Sequence, residues 1–313
     1  MRLQGFLYLI AAACLLGLGA VVTKLIAGLS DPLLVIFLAL LMGGLFVALF
    51  LLAKRQSLSF TFSRSVWIDT LLLASLGTAF PLIILVFGIA KTSAVAGGFL
   101  LQLQGPVGVI LACLLLREKF TWKQGGGIVL LMIGGMIVVL GEAQIISWQT
   151  NLQGSLLILL STLGFGYSFI PAKRLSQQID PLLVSALRLL LGACFTIPFL
   201  FFQSMPIKVS FSWSIFWILL FYGCANFGLA YIALQEGLRR LPAWASAAIL
   251  QTMPLFTTAF AILLLHDTFT FIQIIGGFIA IVGGVIVVSG DAFPKRSAEV
   301  SGKNRTGNLV NTL

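Results

Sequence analysis

The chain has 313 residues, of which 59% are apolar and only 9% are charged, and its mean hydropathy is +1.10. Soluble domains carry about 25% charged residues, so this composition excludes a soluble protein and predicts an all-α integral membrane protein. The net charge of +10 would indicate nucleic-acid binding in a soluble protein. Here the basic residues lie in short gaps between apolar segments, which predicts a lipid bilayer as partner and no nucleic acid.

Ten apolar segments follow one another along the chain, each close to the roughly 20 residues that a membrane-spanning helix needs. They cover residues 5–26, 32–53, 66–90, 93–116, 122–141, 152–174, 181–203, 213–236, 243–265 and 271–290. The polar residues 294–313 follow the last segment, and we expect this cytoplasmic tail to be disordered.

Basic residues are distributed unevenly between the two sides of the predicted membrane protein. Ten spans place both termini on one side, together with fifteen of the nineteen Lys and Arg residues. Only Lys24, Lys91 and Lys208 face the other side, while Arg188 falls within a span. Because positive residues accumulate in cytoplasmic loops, we expect both termini in the cytoplasm of a prokaryotic cell, with the protein in its inner membrane.

The chain also contains an internal repeat with an offset of 149 residues. The segment Asp31–Val35, Asp-Pro-Leu-Leu-Val, recurs as Asp180–Val184. The repeat divides the chain into two copies, residues 1–145 and 150–293, with five predicted spans each. Since five is odd, the second copy must cross the membrane upside down, which predicts two inverted repeats with a substrate site at their shared interface.

Each half carries the same order of weak motifs. A proline, Pro106 or Pro254, is followed by an apolar run that ends in an acidic residue, Glu118 or Asp267, and then by a Gly-Gly pair. This order resembles the EamA-type branch of the drug/metabolite transporter superfamily. The resemblance implies a secondary transporter that exports or exchanges small metabolites, including amino acids. Asp267 departs from the family pattern, in which Glu is more frequent at this position.

Polar side chains inside the predicted spans are the candidates for a substrate cavity. They are Asn226, Tyr222, Gln102, Gln104, Gln251, Thr252, Tyr167 and Arg188. A polar group at membrane depth needs a partner, so each side chain either lines a cavity or bonds to protein. Asn226 could instead hold helices together, and the Gln and Thr residues could instead satisfy backbone groups near the prolines. The sequence leaves both interpretations open.

Prolines within the spans are candidates for hinges or gates. A proline frees the carbonyl about one turn earlier, and neighbouring polar groups can bond to it. Pro81, Pro106, Pro171 and Pro254 fall in this class.

Arg188 resembles an Arg that the family carries in the second span of a repeat, whereas the first half has Ala39 there. It lies about 12 Å along its helix from the cytoplasmic end, and no carboxylate occurs at a similar depth. Two interpretations follow. The guanidinium binds a substrate carboxylate or other anion, or it extends to the headgroups or caps backbone carbonyls.

We therefore predict an alternating-access exporter or exchanger of small polar or amphipathic, amino-acid-like metabolites. A nucleotide-sugar or drug carrier is the alternative, and a channel is a third possibility. The chain has a single His, His266, and no buried pair of acids. We therefore predict that it is not an enzyme and has no catalytic residue, metal site or cofactor. Asp69, the only acid within a span, lies near its cytoplasmic end, which favours facilitated diffusion or exchange over proton coupling.

Three further features bear on architecture. Small residues spaced by four, Gly276, Ala280 and Gly284, permit close helix packing within the bundle or in a homodimer. Trp244 and Trp148 lie near span ends, where an aromatic belt is expected. Glu118 ends its span and is expected to have a structural role.

Overall fold

The computed structural model describes residues 2–26, 31–54, 62–89, 91, 100–119, 121–143, 152–201, 212–265 and 271–289. The helices are α1 (Arg2–Ile26), α2 (Pro32–Ala53), α3 (Arg64–Ile89), α4 (Gln104–Leu115), α5 (Trp122–Ala143), α6 (Leu152–Gln178), α7 (Pro181–Phe201), α8 (Trp213–Arg240), α9 (Ala243–Leu250), α10 (Met253–Leu265) and α11 (Phe271–Ser289). The predicted tail 294–313, His266 and Asp267 lie outside the described residues.

Seven stretches of described helix are long and apolar enough to cross a bilayer. They are α1, α2, α3, α6, α7, α8 and the combined α9–α10 stretch Ala243–Leu264. Two shorter apolar helices, Gln104–Leu115 and Ile274–Val287, fall within the fourth and tenth predicted spans. The described part of the chain is thus helical with an apolar surface, as expected of an integral membrane protein, while the count of ten spans stays a prediction.

The repeated Asp-Pro motif starts the second helix of each half. The Asp31 carboxylate accepts a hydrogen bond from Leu33 N at 2.9 Å, and Asp180 accepts one from Leu182 N at 2.8 Å. Proline follows in both cases, at a position where the missing N–H would have no partner inside the helix. The same local chemistry therefore begins α2 and α7.

The two halves pack as a pseudo-symmetric pair. Equivalent helices meet each other: α2 packs against α7, and α5 against α11. α4 packs against α9, which lies in the fourth predicted span of the second half as α4 does in the first. Further contacts form matched pairs, because α1 packs on α8 and α10 of the second half, while α6 packs on α3 and α4 of the first. Such matching is what a two-fold relation between the halves produces.

Glycine contacts give the direction of the helices at this shared interface. Gly127 approaches Gly283 and Val287, whereas Gly134 approaches Ala280 and the carbonyl of Gly276, so α5 and α11 run antiparallel. A Cβ at position 134 would lie 2.4 Å from the backbone nitrogen of Ala280. The small residues of α11 therefore serve packing within the bundle, against α5.

The third helix of each half contains a π-helical segment at an equivalent place. These segments are Ser75–Ala79 in α3 and Tyr222–Leu229 in α8. A π turn shifts the hydrogen-bond register, and such turns occur frequently at functional sites. Both irregular segments lie on helices that pack against the opposite half, so the two shifts in hydrogen-bond register lie at the interface between the repeats.

The helices also break at equivalent places before α4 and α10. The turn residues Gln102-Leu103 and Gln251-Thr252 are 149 residues apart, in register with the repeat. Pro106 is then the third residue of α4, while Pro254 is the second residue of α10. The two prolines are thus displaced by one position relative to each other, and both lie in the first turn of a helix, where proline is tolerated.

Candidate functional site

Arg188 of α7 is the most deeply buried cation among the described residues, with 2% of its surface exposed. Its Nε donates to Thr78 Oγ1 at 2.7 Å, and its Nη2 donates to the carbonyl of Gly77 at 3.1 Å. The guanidinium carbon lies 4.3 Å from the ring centroid of Tyr231 in α8, within the range of a cation–π contact. Arg188 therefore joins α7 to the π segment of α3 and to α8.

Proline chemistry explains why the Gly77 carbonyl is available. Pro81, four residues further along α3, has no N–H to donate back to this carbonyl. Thr78 turns its own hydroxyl toward the carbonyl of Leu73 at 2.8 Å, which leaves its oxygen free to accept from Arg188. A first-half backbone group that proline releases is thus bonded by a second-half side chain.

These contacts separate the two interpretations of Arg188 only in part. The side chain does not extend to headgroups, because it is buried and points into the helix interface. It does cap a backbone carbonyl. Its Nη1 nitrogen, however, is buried without a hydrogen-bond partner in the described part of the chain. Thr78 and Tyr231 were absent from the sequence candidates, although the spacing of Gly77 and Pro81 was a usable signal.

Gln251 makes the same kind of contact at the second proline. Its Nε2 donates to the carbonyl of Gln102 at 2.7 Å, and Gln102 lies four residues before Pro106. The Gln102 amide nitrogen is buried next to Gly135 and has no hydrogen-bond partner among the residues described. Gln251 therefore satisfies a proline-freed carbonyl across the pseudo-two-fold axis, as one of the two sequence interpretations expects.

Asn226 and Tyr222 lie on the π segment of α8, facing α1. The Asn226 side chain packs directly over Gly19, whose missing Cβ leaves the space that the amide occupies. The Tyr222 hydroxyl accepts a hydrogen bond from Thr23 Oγ1 at 3.1 Å. Asn226 Oδ1 is buried without a bonding partner in the described regions, and the recess beside it has no room for a water molecule.

An aromatic row links Tyr222 to the arginine cluster. The Phe227 ring lies 5.4 Å from Tyr222 in an edge-to-face arrangement and 5.8 Å from Tyr231 in a stacked one. Tyr231 in turn carries the Arg188 guanidinium on its face. The π segment and the turn after it therefore connect the Asn226–Tyr222 group with Arg188.

The other sequence candidates lie apart from this row. Thr252 bonds to the carbonyl of Ile249 in its own turn, and Gln104 is a half-buried residue at the start of α4. Tyr167 packs against a hydrophobic cluster that is separate from the one holding Tyr222 and Tyr231. Pro171 is buried inside α6. The candidates thus do not converge on one cavity: Asn226, Tyr222 and Arg188 lie along the aromatic row, whereas Gln102 and Gln251 pair at the helix breaks.

Charged residues clamp the connection between α8 and α9, at the predicted cytoplasmic end. Both oxygens of Glu118 accept backbone hydrogen bonds, from Ala243 N and Trp244 N, each at 3.0 Å. Lys173 donates to the carbonyls of Leu238 and Leu241 at 2.5 and 2.6 Å. A carboxylate at a helix N-terminus and a cation at a C-terminus both complement the helix dipole. Glu118 was expected to have a structural role, and in the structure it caps the N-terminus of α9 in the opposite half.

Trp244 does not belong to an aromatic belt at the membrane surface. Its side chain is fully buried in the hydrophobic core, because α9 starts inside the bundle where Glu118 caps it. The expectation from its position near a span end was wrong. Trp148, the other residue expected in the belt, lies outside the described residues.

Asp69 of α3 is buried, with Arg174 of α6 as its ion-pair partner at 3.6 Å. The Arg174 side chain is itself 46% exposed, so the pair lies at the edge of the bundle. An acid at this place agrees with its expected position near the end of the span. Asp69 does not neutralise Arg188, because it lies nine residues before Thr78, the residue of α3 that Arg188 contacts.

Relatives among curated proteins are described only as transporters. Uncharacterized transporter YetK of Bacillus subtilis (strain 168) is 28% identical over 62% of this chain, and the aligned part spans 59% of that relative. An uncharacterized transporter of Methanothermobacter thermautotrophicus is 22% identical over 89% of this chain and 84% of its own length. Uncharacterized transporter YoaV of B. subtilis is 26% identical over 80% of this chain and 86% of its own.

Both halves of the chain match one family, in agreement with the repeat. A solved crystal structure superposes with a TM-score of 0.77 over 92% of this chain and 98% of its own, at 15% identity, which indicates a shared fold. Residues 3–140 and residues 152–289 each match the family described as the EamA-like transporter family. Two matches in tandem cover most of the sequence. The chain is a membrane transporter and belongs to the EamA-like transporter family.

Proposed function

We propose that this protein is a secondary transporter that exports or exchanges small polar or amphipathic, amino-acid-like metabolites by alternating access. Its ten spans would form two inverted repeats, residues 1–145 and 150–293, with both termini in the cytoplasm of a prokaryotic cell. The observation that carries the proposal is the antiparallel packing of equivalent helices, such as α5 and α11, about one axis. Inverted repeats of this kind place substrate at their interface and open alternately to either side.

Contacts across that interface are suited to such motion. Arg188 and Gln251 donate to proline-freed carbonyls of the opposite half, and each such bond is made by one flexible side chain. A side-chain bond can exchange its partner for water when the repeats separate, whereas a backbone ladder cannot do so without unfolding. The π segments supply local backbone adjustability beside these bonds.

Pro81 acts as a hinge in this proposal, because α3 lacks one internal bond at that point. Pro171, inside α6, is a hinge candidate of the same type. Pro106 and Pro254, in the first turns of α4 and α10, remove no internal bond of those helices and are the weaker hinge candidates.

Other functions remain as alternatives with distinct signatures. A nucleotide-sugar or drug carrier of the same superfamily would share the fold and differ in substrate. A channel would conduct without saturation. Catalysis is not proposed, since transporters of this family are generally not enzymes.

Counterflow in proteoliposomes tests the proposal. Vesicles loaded with a mixture of the twenty common L-amino acids should accumulate one or more externally added labelled amino acids, with saturation and at rates well above protein-free vesicles. Flux that rises linearly with concentration and gains nothing from internal substrate would indicate a channel. The rate should not follow an imposed pH gradient, since we expect facilitated diffusion or exchange.

Gln251→Leu and Gln178→Leu form a matched pair for the hinge contacts. Gln251→Leu removes the bond across the axis and should lower the counterflow rate several-fold. Gln178→Leu changes an exposed amide at the end of α6 that bonds within its own helix, and should leave the rate near the wild-type value. Equal rates for the two variants would contradict a role of the Gln251 contact in transport.

A further inference from the structure

Arg188 carries a positive charge that nothing on the surrounding helices neutralises. The elements that pack against α7 are α2, α3, α6 and α8, and α6 contains no acidic residue. Every described acid on α7 and the other helices, or at the residue just before one of them, lies near a helix end and already has a partner there. These acids are Asp31, Asp69, Asp180 and Glu236.

The partners that Arg188 does have are neutral. A hydroxyl, a backbone carbonyl and the face of a phenol ring hold the guanidinium in place from three directions. A buried charge with neutral partners remains costly, because these contacts replace only part of its lost hydration. Ala39 occupies the equivalent position of the first half, so the repeated fold does not itself require an Arg, which points to a role for the charge of Arg188.

Nη1 is the atom of Arg188 at which a ligand could bind. Its two N–H groups are buried and have no acceptor in the described part of the chain. A carboxylate accepts such N–H groups through charge-assisted hydrogen bonds, which are among the strongest that a guanidinium forms. Because Nε and Nη2 bond to Thr78 and Gly77, Nη1 is the nitrogen left to take a further acceptor.

The number of charges also selects the ligand. Arg188 is the only buried cation among the described residues. One buried cation balances one negative charge, whereas a phosphate dianion would leave an uncompensated charge in the membrane interior. A monocarboxylate fits this balance, and an organic cation, as in many drugs, would be repelled.

We propose that the transported substrate carries a single carboxylate, which binds Nη1 of Arg188 between α3, α7 and α8 when the repeats separate there. This inference rests on the proposed transport function and names the substrate class of that same interface. The aromatic row Tyr222–Phe227–Tyr231 would then contact the apolar part of the same substrate.

Thermal unfolding of the detergent-purified full-length protein tests this inference with paired probes. The probes are the common L-amino acids and a series of short monocarboxylates, each compared with its own amide. At least one acid should raise the melting temperature while its amide does not. Arg188→Gln should weaken that acid's apparent affinity by about 30-fold or more, the usual effect of removing one partner of a buried charge pair.

Two further variants keep the result interpretable. Arg188→Lys retains the charge but not the fixed fork, so we expect an intermediate affinity. Thr78→Ala keeps the arginine and removes one of its partners, so it can be tested even if Arg188→Gln does not fold. It should lower the affinity for the acid by less than the roughly 30-fold expected for Arg188→Gln. A panel in which no acid stabilises the wild type more than its amide overturns the inference.

Counterflow distinguishes this failure from failure of the proposed function. If neutral amides or organic cations exchange saturably and acids do not, the transport proposal stands and the proposal of a carboxylate substrate is refuted. Absence of saturable exchange for every probe would refute both.

Discussion

Removal of the Glu118 carboxylate should loosen the start of α9 while leaving the rest of the bundle folded. Glu118 accepts two backbone hydrogen bonds, from Ala243 and Trp244, at 3.0 Å each. Pro242, the residue before α9, has no side-chain acceptor with which to replace them. Charge-assisted bonds contribute roughly 1.5–3 kcal/mol each when buried, and Glu118 is half-buried, so we expect about 2 kcal/mol for Glu118→Ala.

Amide hydrogen exchange measures this local effect directly. About 2 kcal/mol corresponds to roughly 30-fold faster exchange in a peptide that covers the first turn of α9, provided that exchange proceeds by local opening. Lys119→Ala, an exposed change at the next residue, is the matched control and should leave the exchange rate unaltered. Unchanged exchange in Glu118→Ala, or the same increase in both variants, would refute the capping role.

Three further perturbations follow from contacts in the structure, each measured as the free energy of unfolding in mixed detergent micelles. Lys173→Met removes two bonds to carbonyls at the end of α8 and should cost about 2 kcal/mol, and an unchanged value would contradict the clamp. Gly134→Val places a side chain 2.4 Å from backbone and should cost about 3 kcal/mol or prevent folding, whereas Gly126→Ala, with nothing within 4 Å, should be neutral or slightly stabilising. Gln251→Leu leaves the Gln102 carbonyl unbonded and should cost about 1–3 kcal/mol, unless water enters and restores the bond.

Much of the architecture could be predicted because its causes are local. The Asp-Pro motif begins α2 and α7 through contacts within three residues, so its recurrence at residue 180 predicts a second helix start of the same kind. Apolar segments near 20 residues long indicate membrane helices regardless of what they contact. The repeat, read together with the parity of five predicted spans, led to the expectation of antiparallel equivalent helices, which α5 and α11 display.

The candidate site could be predicted less well because its contacts join distant segments. Sequence spacing indicated that Pro81 frees the Gly77 carbonyl, but not that Arg188, more than 100 residues away, bonds to it. Trp244 shows the reverse error. Its position near a span end suggested a membrane surface, yet Glu118 of the other half holds that helix start within the core.

Composition, span length and the 149-residue repeat by themselves determined a helical membrane protein with two related halves, because hydrophobic length and local capping act within one segment. Tertiary structure decided which polar groups are satisfied and which are not. That outcome depends on the register in which helices of opposite halves meet. In the observed register Gln251 is bonded, whereas Arg188 Nη1 has no hydrogen-bond partner among the described residues. The free energy of burying a polar group is set by its neighbours in space, and these neighbours are absent from the linear order of residues.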